Sequence, residues 1–199
     1  MNIDPKITAF VFPGQGSQTV GMGRELAAAF PEARQTFEEA DDLLGFSLSG
    51  LMWEGPDVEL NDTLNTQPAL FTHSLAAYRV FSAHQSGLTP AFMAGHSLGQ
   101  LSAIAAAGAI SFADGLRLVR RRGELMKHAG ELNPGGMAAI LNLDIPTLDQ
   151  VCAEASTADE IVQVANDNSP GQVVISGAKP ALERALELAK AAGARRAIP

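Results

Sequence analysis

The sequence of 199 residues is poor in the residues that build disulfides and metal sites, with one cysteine and four histidines. The single cysteine, Cys152, excludes a disulfide framework and a cysteine-based metal site, and its helical setting favours a small buried apolar side chain. No apolar run approaches the roughly 20 residues that span a bilayer. The N-terminus, MNIDPKITAFVF, also lacks the basic start and long apolar core of a signal peptide.

Positive charge is also scarce in this chain. Lysine and arginine number 14 against 22 aspartates and glutamates, which gives a net charge of −8. Such a balance argues against nucleic acid or an anionic membrane as the main partner. Apolar residues make up 46% of the chain, which is typical of a globular protein that buries a core. We therefore expect a cytoplasmic protein with no nucleic-acid or membrane partner.

One short stretch, AGHSLGQ at residues 94–100, has the pattern of a nucleophile elbow. It follows a run with strand character, residues 89–93, and precedes small helix-tolerant residues. A tight strand-to-helix turn would present the Ser97 hydroxyl at the top of a sheet. The same turn would aim the first free helix amides, starting with that of Leu98, at a negative charge. The string also arises by chance, so a plain turn remains the alternative.

A second glycine-rich loop follows a predicted strand at residues 7–12, whose continuous apolar character predicts cover on both faces. The loop, GQGSQ at residues 14–18, has neither the third glycine of a dinucleotide fingerprint nor the Gly-Lys-Ser/Thr of a P-loop. A loop at the C-terminal end of a buried strand is a common place for an α/β site. A tight turn without a function is equally compatible with the pattern.

A helix predicted at residues 112–128 carries an arginine on an apolar face. Four of its side chains share that face at a spacing of i, i+4, i+7 and i+11: Leu118, Arg122, Leu125 and Ala129. Arg120 and Arg121 point elsewhere and are interpreted as solvated. A buried guanidinium needs an anionic partner. This partner is either an acid of the same protein or a bound carboxylate, which matches the arginine fork.

The pattern divides the chain into domains at residues 1–134 and 135–199. The first is predicted to be α/β, with an irregular stretch at residues 46–63 and a following helix capped by Asn65 or Thr66. The second reads β-α-β-β-α-β, the order of a ferredoxin-like unit, with a turn at residues 166–171.

A serine nucleophile needs a base, usually a histidine, and none of the four histidines is well placed for that role. His96 adjoins the serine on the elbow and is expected to point away from it, whereas the other three lie in helical patterns. The first domain also offers only two parallel strands, fewer than an α/β sheet normally has. We therefore expect the 199 residues to be the N-terminal part of a longer protein.

Several strings in order give the chain a clear resemblance to a known family. They are FVFPGQGSQTVGMG at residues 10–23, NTQPAL at 65–70, GHSLG at 95–99, the last arginine of RRR at 120–122, GGMAAIL at 135–141 and NDNSPGQVVISG at 166–177. With these strings the chain resembles the malonyl-CoA:acyl carrier protein transacylase family, which includes the acyltransferase domains of fatty-acid and polyketide synthases. The resemblance implies an α/β-hydrolase-like parallel-sheet domain, incomplete here, with a ferredoxin-like subdomain.

The resemblance also implies roles for individual residues. Ser97 would accept the acyl group and Arg122 would bind the malonyl carboxylate. The amides of Gln15 and Leu98 would form the oxyanion hole. The positions that would line the site with weaker roles are Gln67 and Asn166. The family's catalytic histidine would lie beyond Pro199, and the usual acid after GHSLG is replaced by a glutamine here.

The implied function is ping-pong transfer of a malonyl group in fatty acid biosynthesis, from malonyl-CoA to the pantetheine thiol of acyl carrier protein. The resemblance implies no metal and no cofactor, because coenzyme A enters as part of the substrate. We expect a monomer whose partners are malonyl-CoA and acyl carrier protein. Two alternatives remain open: a serine hydrolase of the esterase or thioesterase type, and an inactive acyl-binding fragment.

Overall fold

Residues 4–85 and 88–198 are described by a computed structural model. The chain separates into two units, Met1–Lys127 and His128–Pro199. Each unit has its own hydrophobic core, and the two are described in turn. Among the described helices, none is long and apolar enough to cross a membrane.

The first unit consists of two parallel strands and a set of helices. In chain order its elements are β1 (Ala9–Phe12), α1 (Arg24–Ala29), α2 (Pro31–Leu44), α3 (Leu48–Glu54), α4 (Asp57–Leu60), α5 (Thr63–His84), β2 (Phe92–Gly95), α6 (Gly99–Ala106) and α7 (Phe112–Leu132), whose last turn belongs to the second unit. The strands β1 and β2 pair in parallel, with Phe12 opposite Gly95.

The start of α5 corrects two predictions from the sequence. The stretch predicted to be irregular contains α3 and α4, and Ser47 caps α3 by accepting a hydrogen bond from the amide of Gly50. Asp62, and not Asn65 or Thr66, caps α5, because its carboxylate accepts from the amide of Leu64 at 3.0 Å. The helix therefore begins several residues earlier than predicted, and the segment that carries Gln67 is already helical.

The strand pair buries one face and exposes the other within the described residues. On the buried face, the ring of Phe10 contacts those of Tyr78 and Phe81 edge to face. On the other face, Val11 is 77% exposed and Phe92 is 71% exposed. The prediction that the first strand is covered on both faces is therefore wrong for this part of the chain.

Helix α7 packs on the first unit through a face that includes glycines. Its buried residues are Phe112, Gly115, Leu116, Val119 and Gly123. A Cβ atom at Gly115 would lie only 2.4 Å from the ring of Phe71 on α5, so the two helices pack closely there. Leu118 and Leu125 are about half exposed, so the apolar face predicted from their spacing is not the buried one.

The second unit confirms the ferredoxin-like prediction. Its elements are β3 (Gly135–Leu141), α8 (Ile145–Ala155), β4 (Val162–Ser169), β5 (Gln172–Ala178), α9 (Lys179–Ala191) and β6 (Arg196–Ile198). The sheet order is β4-β5-β3-β6 with antiparallel neighbours. Buried residues such as Ile140, Leu148 and Ile175 from the strands and helices form its core.

Asn166 lies on a strand and not in a turn. The strand β4 continues through residues 166–169, so only Pro170 and Gly171 form the tight connection to β5, with Gly171 at φ +82°. Asn166 lies opposite Val174, beside an irregularity in the strand register. The predicted turn at 166–171 is therefore much shorter in the structure.

Candidate active site

The GHSLG string forms a sharp strand-to-helix turn between β2 and α6. Ser97 is exposed and has φ +52°, a left-handed conformation that side chains rarely adopt and that concentrates at functional sites. A Cβ atom at Gly95 would lie 1.9 Å from the carbonyl carbon of Gly99. A Cβ atom at Gly99 would lie 2.2 Å from the carbonyl oxygen of Phe12. Both glycines are therefore required by close backbone approach, and the sharp strand-to-helix turn predicted from the string is present.

The glycine-rich loop after β1 lies directly against this elbow. A Cβ atom at Gly14 would lie 2.6 Å from Nδ1 of His96 and 2.7 Å from the carbonyl oxygen of the same residue. The amide of His96 donates to the carbonyl oxygen of Phe12 at 3.1 Å, which continues the strand pairing to the elbow. The parallel pairing of β1 with β2 thus brings two glycine-rich loops to the same end of the sheet, as expected for an α/β site.

Arg122 joins the serine to a buried glutamine. Its Nη2 atom donates to Oγ of Ser97 at 2.9 Å, and its Nη1 atom donates to Oε1 of Gln67 at 2.7 Å. Among the described residues, no carboxylate forms an ion pair with Arg122. The interpretation of Arg122 as half of a structural ion pair is therefore wrong for this part of the chain. An arginine without a carboxylate beside an exposed serine is suited to an anionic ligand.

The hydrogen bonds continue from Gln67 to the glycine-rich loop. The Nε2 atom of Gln67 donates to the hydroxyl of Thr63 at 3.0 Å and to the sulfur of Met126 at 3.2 Å. The Thr63 hydroxyl in turn donates to Oε1 of Gln15 at 3.2 Å. Gln67 is fully buried, whereas Gln15 is exposed. The structure therefore brings Ser97 and three of the predicted site residues into one connected network.

The direction of each hydrogen bond in this network follows from the chemistry of arginine. A guanidinium has five donors and no acceptor, so Gln67 must present its oxygen to Arg122 and its NH₂ group to Thr63. The Thr63 hydroxyl accepts from Gln67, and its proton is then directed at Gln15. Ser97 likewise accepts from Arg122, which leaves its own proton available to a base.

Helix α7 holds Arg122 in place by packing against the first turn of α5. A Cβ atom at Gly123 would lie 2.8 Å from the carbonyl oxygen of Thr63, so the two backbones nearly touch. On the same face of α7, Arg120 donates to the carbonyl oxygen of Leu64 at 3.1 Å. The Arg120 side chain is only 24% exposed, and the prediction that it is solvated is wrong.

An ion pair also joins α7 to the start of α5. Lys127 of α7 binds the carboxylate of Asp62, the residue that caps α5. The hydrogen bond from Lys127, with a further one from the amide of Leu64, holds the pKa of the Asp62 carboxyl below its usual value against a smaller opposing effect of burial. Arg121 pairs with Glu124 on the exposed side of α7, and its side chain is largely in solvent as predicted.

Three histidines form contacts elsewhere in the chain. His84 packs edge to face on Phe30, and His128 lies 3.9 Å from Glu131 on the same helix. His73 is partly buried on α5, and burial lowers the pKa of its imidazole. None of these contacts involves Ser97.

The structure gives the positions of Leu98 and Asn166 but does not test their predicted roles. Leu98 caps α6 and its side chain is buried, while the next two amides donate back to His96 and Ser97. Its role in an oxyanion hole, like that of Gln15, stays a prediction. Asn166 belongs to the second unit, on β4, and its place in the site also stays a prediction.

Thr63 is the functional candidate that the sequence analysis missed. It lies four residues before Gln67, a spacing that puts both side chains on one helix face. With the helix start predicted at Asn65 or Thr66, Thr63 fell outside the helix. A helix start predicted at Asp62 would have placed Thr63 and Gln67 on the same helix face.

Comparison with known proteins gives consistent matches over almost the whole chain. The sequence model of the acyl transferase domain family matches residues 9–198. Malonyl CoA-acyl carrier protein transacylase of Escherichia coli strain K12 is 53% identical over 191 residues, which are 96% of this chain and 61% of the relative. The protein of the same name from Bacillus subtilis strain 168 is 52% identical, over 96% of this chain and 60% of the relative. The chain thus spans about three fifths of the length of these curated relatives.

Solved structures agree with the sequence comparison. An acyl carrier protein S-malonyltransferase from Vibrio cholerae superposes with a TM-score of 0.90 at 49% identity, covering 96% of this chain and 62% of that chain. A complex described as a type II PKS acyl-carrier protein with its malonyl-transacylase, PlMCAT:AntF, gives a TM-score of 0.89 at 50% identity, with 96% and 61% covered.

Proposed function

Because the chain belongs to the acyl transferase domain family, we propose that it carries the nucleophile and the carboxylate-binding arginine of a malonyl-CoA:acyl carrier protein transacylase. The observation that supports this most directly is Arg122, which joins Ser97 to Gln67 and pairs with no carboxylate among the described residues. A malonyl group differs from an acetyl group by one terminal carboxylate. An arginine fork beside the nucleophile favours the first over the second.

In the first half-reaction, Oγ of Ser97 attacks the thioester carbonyl of malonyl-CoA. A carbon–oxygen bond forms, the carbon–sulfur bond breaks, and the serine proton passes through a general base to the departing coenzyme A thiolate. The hydrogen bond from Arg122 leaves this proton on the side of Ser97 away from the guanidinium. The described contacts of His84 and His128 do not involve the serine, so neither is assigned as the base.

Two backbone amides are proposed to stabilise the negative charge on the carbonyl oxygen. Those of Leu98, at the start of α6, and Gln15, in the loop that packs on the elbow, are the candidates. Donors fixed in advance by the fold need no reorganisation as the charge develops, and losing one typically costs about 10²- to 10³-fold in rate.

In the second half-reaction the pantetheine thiol of acyl carrier protein takes the malonyl group from Ser97. The chemistry is the reverse of the first step with a different thiol. This partner is proposed on the strength of the named relatives and of the solved complex of a malonyl-transacylase with its acyl-carrier protein. We propose no metal or cofactor for the reaction, and coenzyme A acts as part of the substrate.

The proposal is tested by incubating the chain with malonyl-CoA and measuring the intact mass and the modified peptide over hours. We expect one malonyl group on the peptide that contains Ser97, and none on a Ser97→Ala variant. Burst hydrolysis of simple esters without a stable malonyl adduct would instead identify a hydrolase, and no adduct at all would favour an inactive acyl-binding fragment.

The arginine is tested by the same assay with acetyl-CoA for comparison. Arg122→Ala should slow malonyl transfer to Ser97 by about tenfold to a hundredfold, because a hydrogen bond to a charged group contributes about 1.5–3 kcal/mol. Acetyl transfer should change much less. Arg121→Ala is the matched control, since Arg121 lies one residue away and pairs with Glu124 in solvent. An equal loss with both substrates would contradict the carboxylate-binding role.

A further inference from the structure

The hydroxyl of Thr63 links the Gln67–Arg122 pair of the candidate site to the glycine-rich loop at residues 14–18. It accepts from the amide of Gln67, which holds Arg122, and it donates to the side chain of Gln15 in the glycine-rich loop. Neither the sequence motifs nor the proposed chemistry gives this residue a role.

We infer that Thr63 is a positioning residue for acyl transfer, which orients Gln67 for Arg122 and ties the Gln15 loop to helix α5. The inference rests on the proposed function, because it concerns the same site. Thr63 acts through its neighbours and need not touch the substrate.

Gln67 is fully buried, which makes the partners of its side-chain amide important. A buried amide that loses a hydrogen-bond partner destabilises the fold, so the NH₂ group of Gln67 needs an acceptor. Besides Thr63, its other partner is the sulfur of Met126, a weak acceptor. Without the Thr63 hydroxyl, only this sulfur would accept from the NH₂ group, and the bond from Arg122 would be left to fix the orientation of the Gln67 amide. A rotated amide would present donors to the guanidinium of Arg122 and lose the bond that orients it.

The loop that carries Gln15 also depends on contacts with its neighbours. This residue is exposed, and Gly16 beside it has φ +105°, a conformation that only glycine adopts without strain. The hydrogen bond from Thr63 ties the Gln15 side chain to a helix. The same hydroxyl therefore helps to hold the residue whose amide is proposed for the oxyanion hole, in a loop that Gln18 also ties to Asn61.

The backbone of Thr63 is held by the contact between α5 and α7. It is the first residue of α5, after the capping Asp62, and its carbonyl oxygen lies against Gly123 of α7. The ion pair between Asp62 and Lys127 closes the same contact. Because the backbone of Thr63 is held in this way, its hydroxyl can orient the side chains of Gln67 and Gln15.

The experiment compares Thr63→Val, Thr63→Ser and a control variant, Thr72→Val, in the malonyl and acetyl transfer assay. Valine keeps the shape of threonine and removes the hydroxyl, whereas serine keeps the hydroxyl. Thr72 lies on the same helix and is buried, and its hydroxyl has no hydrogen-bond partner among the described residues. We expect Thr63→Val to slow malonyl transfer to Ser97 about tenfold and to lower the malonyl-to-acetyl ratio. Thr63→Ser should restore both values, and Thr72→Val should change neither.

A second readout does not depend on catalysis. The side-chain NH₂ of Gln67 should exchange with solvent slowly in the unsubstituted protein and in Thr72→Val, and at least tenfold faster in Thr63→Val. Unchanged transfer and unchanged exchange in Thr63→Val would overturn the inference. Equal losses with malonyl and acetyl that Thr63→Ser does not restore would also overturn it. If the unsubstituted chain takes up no malonyl group, the proposed function fails, and the exchange measurement decides the role of Thr63 by itself.

Discussion

At the scale of single residues, burial disfavours the charged form of His73. It is partly buried on α5, and burial lowers the pKa of its imidazole below the ordinary value of 6.5. The unfolded chain therefore binds this proton at a higher pH than the folded one. The contribution of neutral His73 to stability is complete above pH 6.5 and is lost as the pH falls below that value towards the folded pKa.

We predict that the free energy of unfolding falls between pH 7.5 and pH 5.5, and that His73→Gln removes a measurable part of this fall. Urea unfolding at the two pH values is the measurement. His128→Gln is the control, because the side chain of His128 is 65% exposed. A pH dependence that is unchanged in His73→Gln would show that the neutral imidazole does not contribute. The low pKa of Asp62 acts only at more acidic pH, below its ordinary value of 3.8, so it does not overlap with this range.

The sequence could identify site residues that stand in an unusual local pattern. Ser97 between two glycines and Arg122 on a helix both predicted chemistry, and the structure places the two in contact. Gln15 and Gln67 came only from the resemblance to a family. Thr63 could not be found, because a threonine near a helix start has an ordinary role as a cap, and its second role exists only when α7 and the glycine-rich loop are in place.

At the scale of elements, the contact between α7 and α5 determines where Arg122 lies. We predict that Gly123→Ala destabilises the protein by about 1–3 kcal/mol, because its Cβ atom would lie 2.8 Å from the carbonyl oxygen of Thr63. The helix propensity of alanine would by itself stabilise α7 by about 1 kcal/mol. The sign of the change therefore tests the close approach directly, and urea unfolding measures it.

The matched control for this prediction is Gly130→Ala on the same helix. A Cβ atom at Gly130 would meet no atom of the described residues within 4 Å, so only the propensity gain applies. Gly130→Ala should stabilise the protein, or leave it unchanged, where Gly123→Ala destabilises it. Stabilisation by both substitutions would show that α7 can move away from α5 at no cost.

Helix existence was easier to predict from the sequence than helix faces or starts. The helix predicted at residues 112–128 was correctly placed, and it extends to Leu132. The buried face of α7 was not, because apolar periodicity counts large side chains, whereas this face contacts α5 partly through glycines. Leu118 and Leu125 have the spacing of a core face and are nevertheless about half exposed.

At the scale of the whole molecule, the fold of the second unit was easier to predict from its sequence than that of the first. The second unit alternates buried and exposed residues along β3 and β5, and its order of elements predicted its topology. The first strand of the first unit was predicted to be covered on both faces, yet its Val11 face is exposed within the described residues. Parallel strands normally have both faces covered, so this strand pair departs from the usual pattern within the described residues.

We predict that His128–Pro199, expressed by itself, folds cooperatively, because the buried residues of this unit form a core of their own. Thermal unfolding followed by circular dichroism should give one transition. Ile140→Ala should destabilise this fragment by about 2–5 kcal/mol, since Ile140 is fully buried in the sheet. Ile161→Ala, at a residue that is 60% exposed, should change the stability by no more than about 0.5 kcal/mol. A fragment without a transition, or two variants of equal stability, would mean that this core does not form without the first unit.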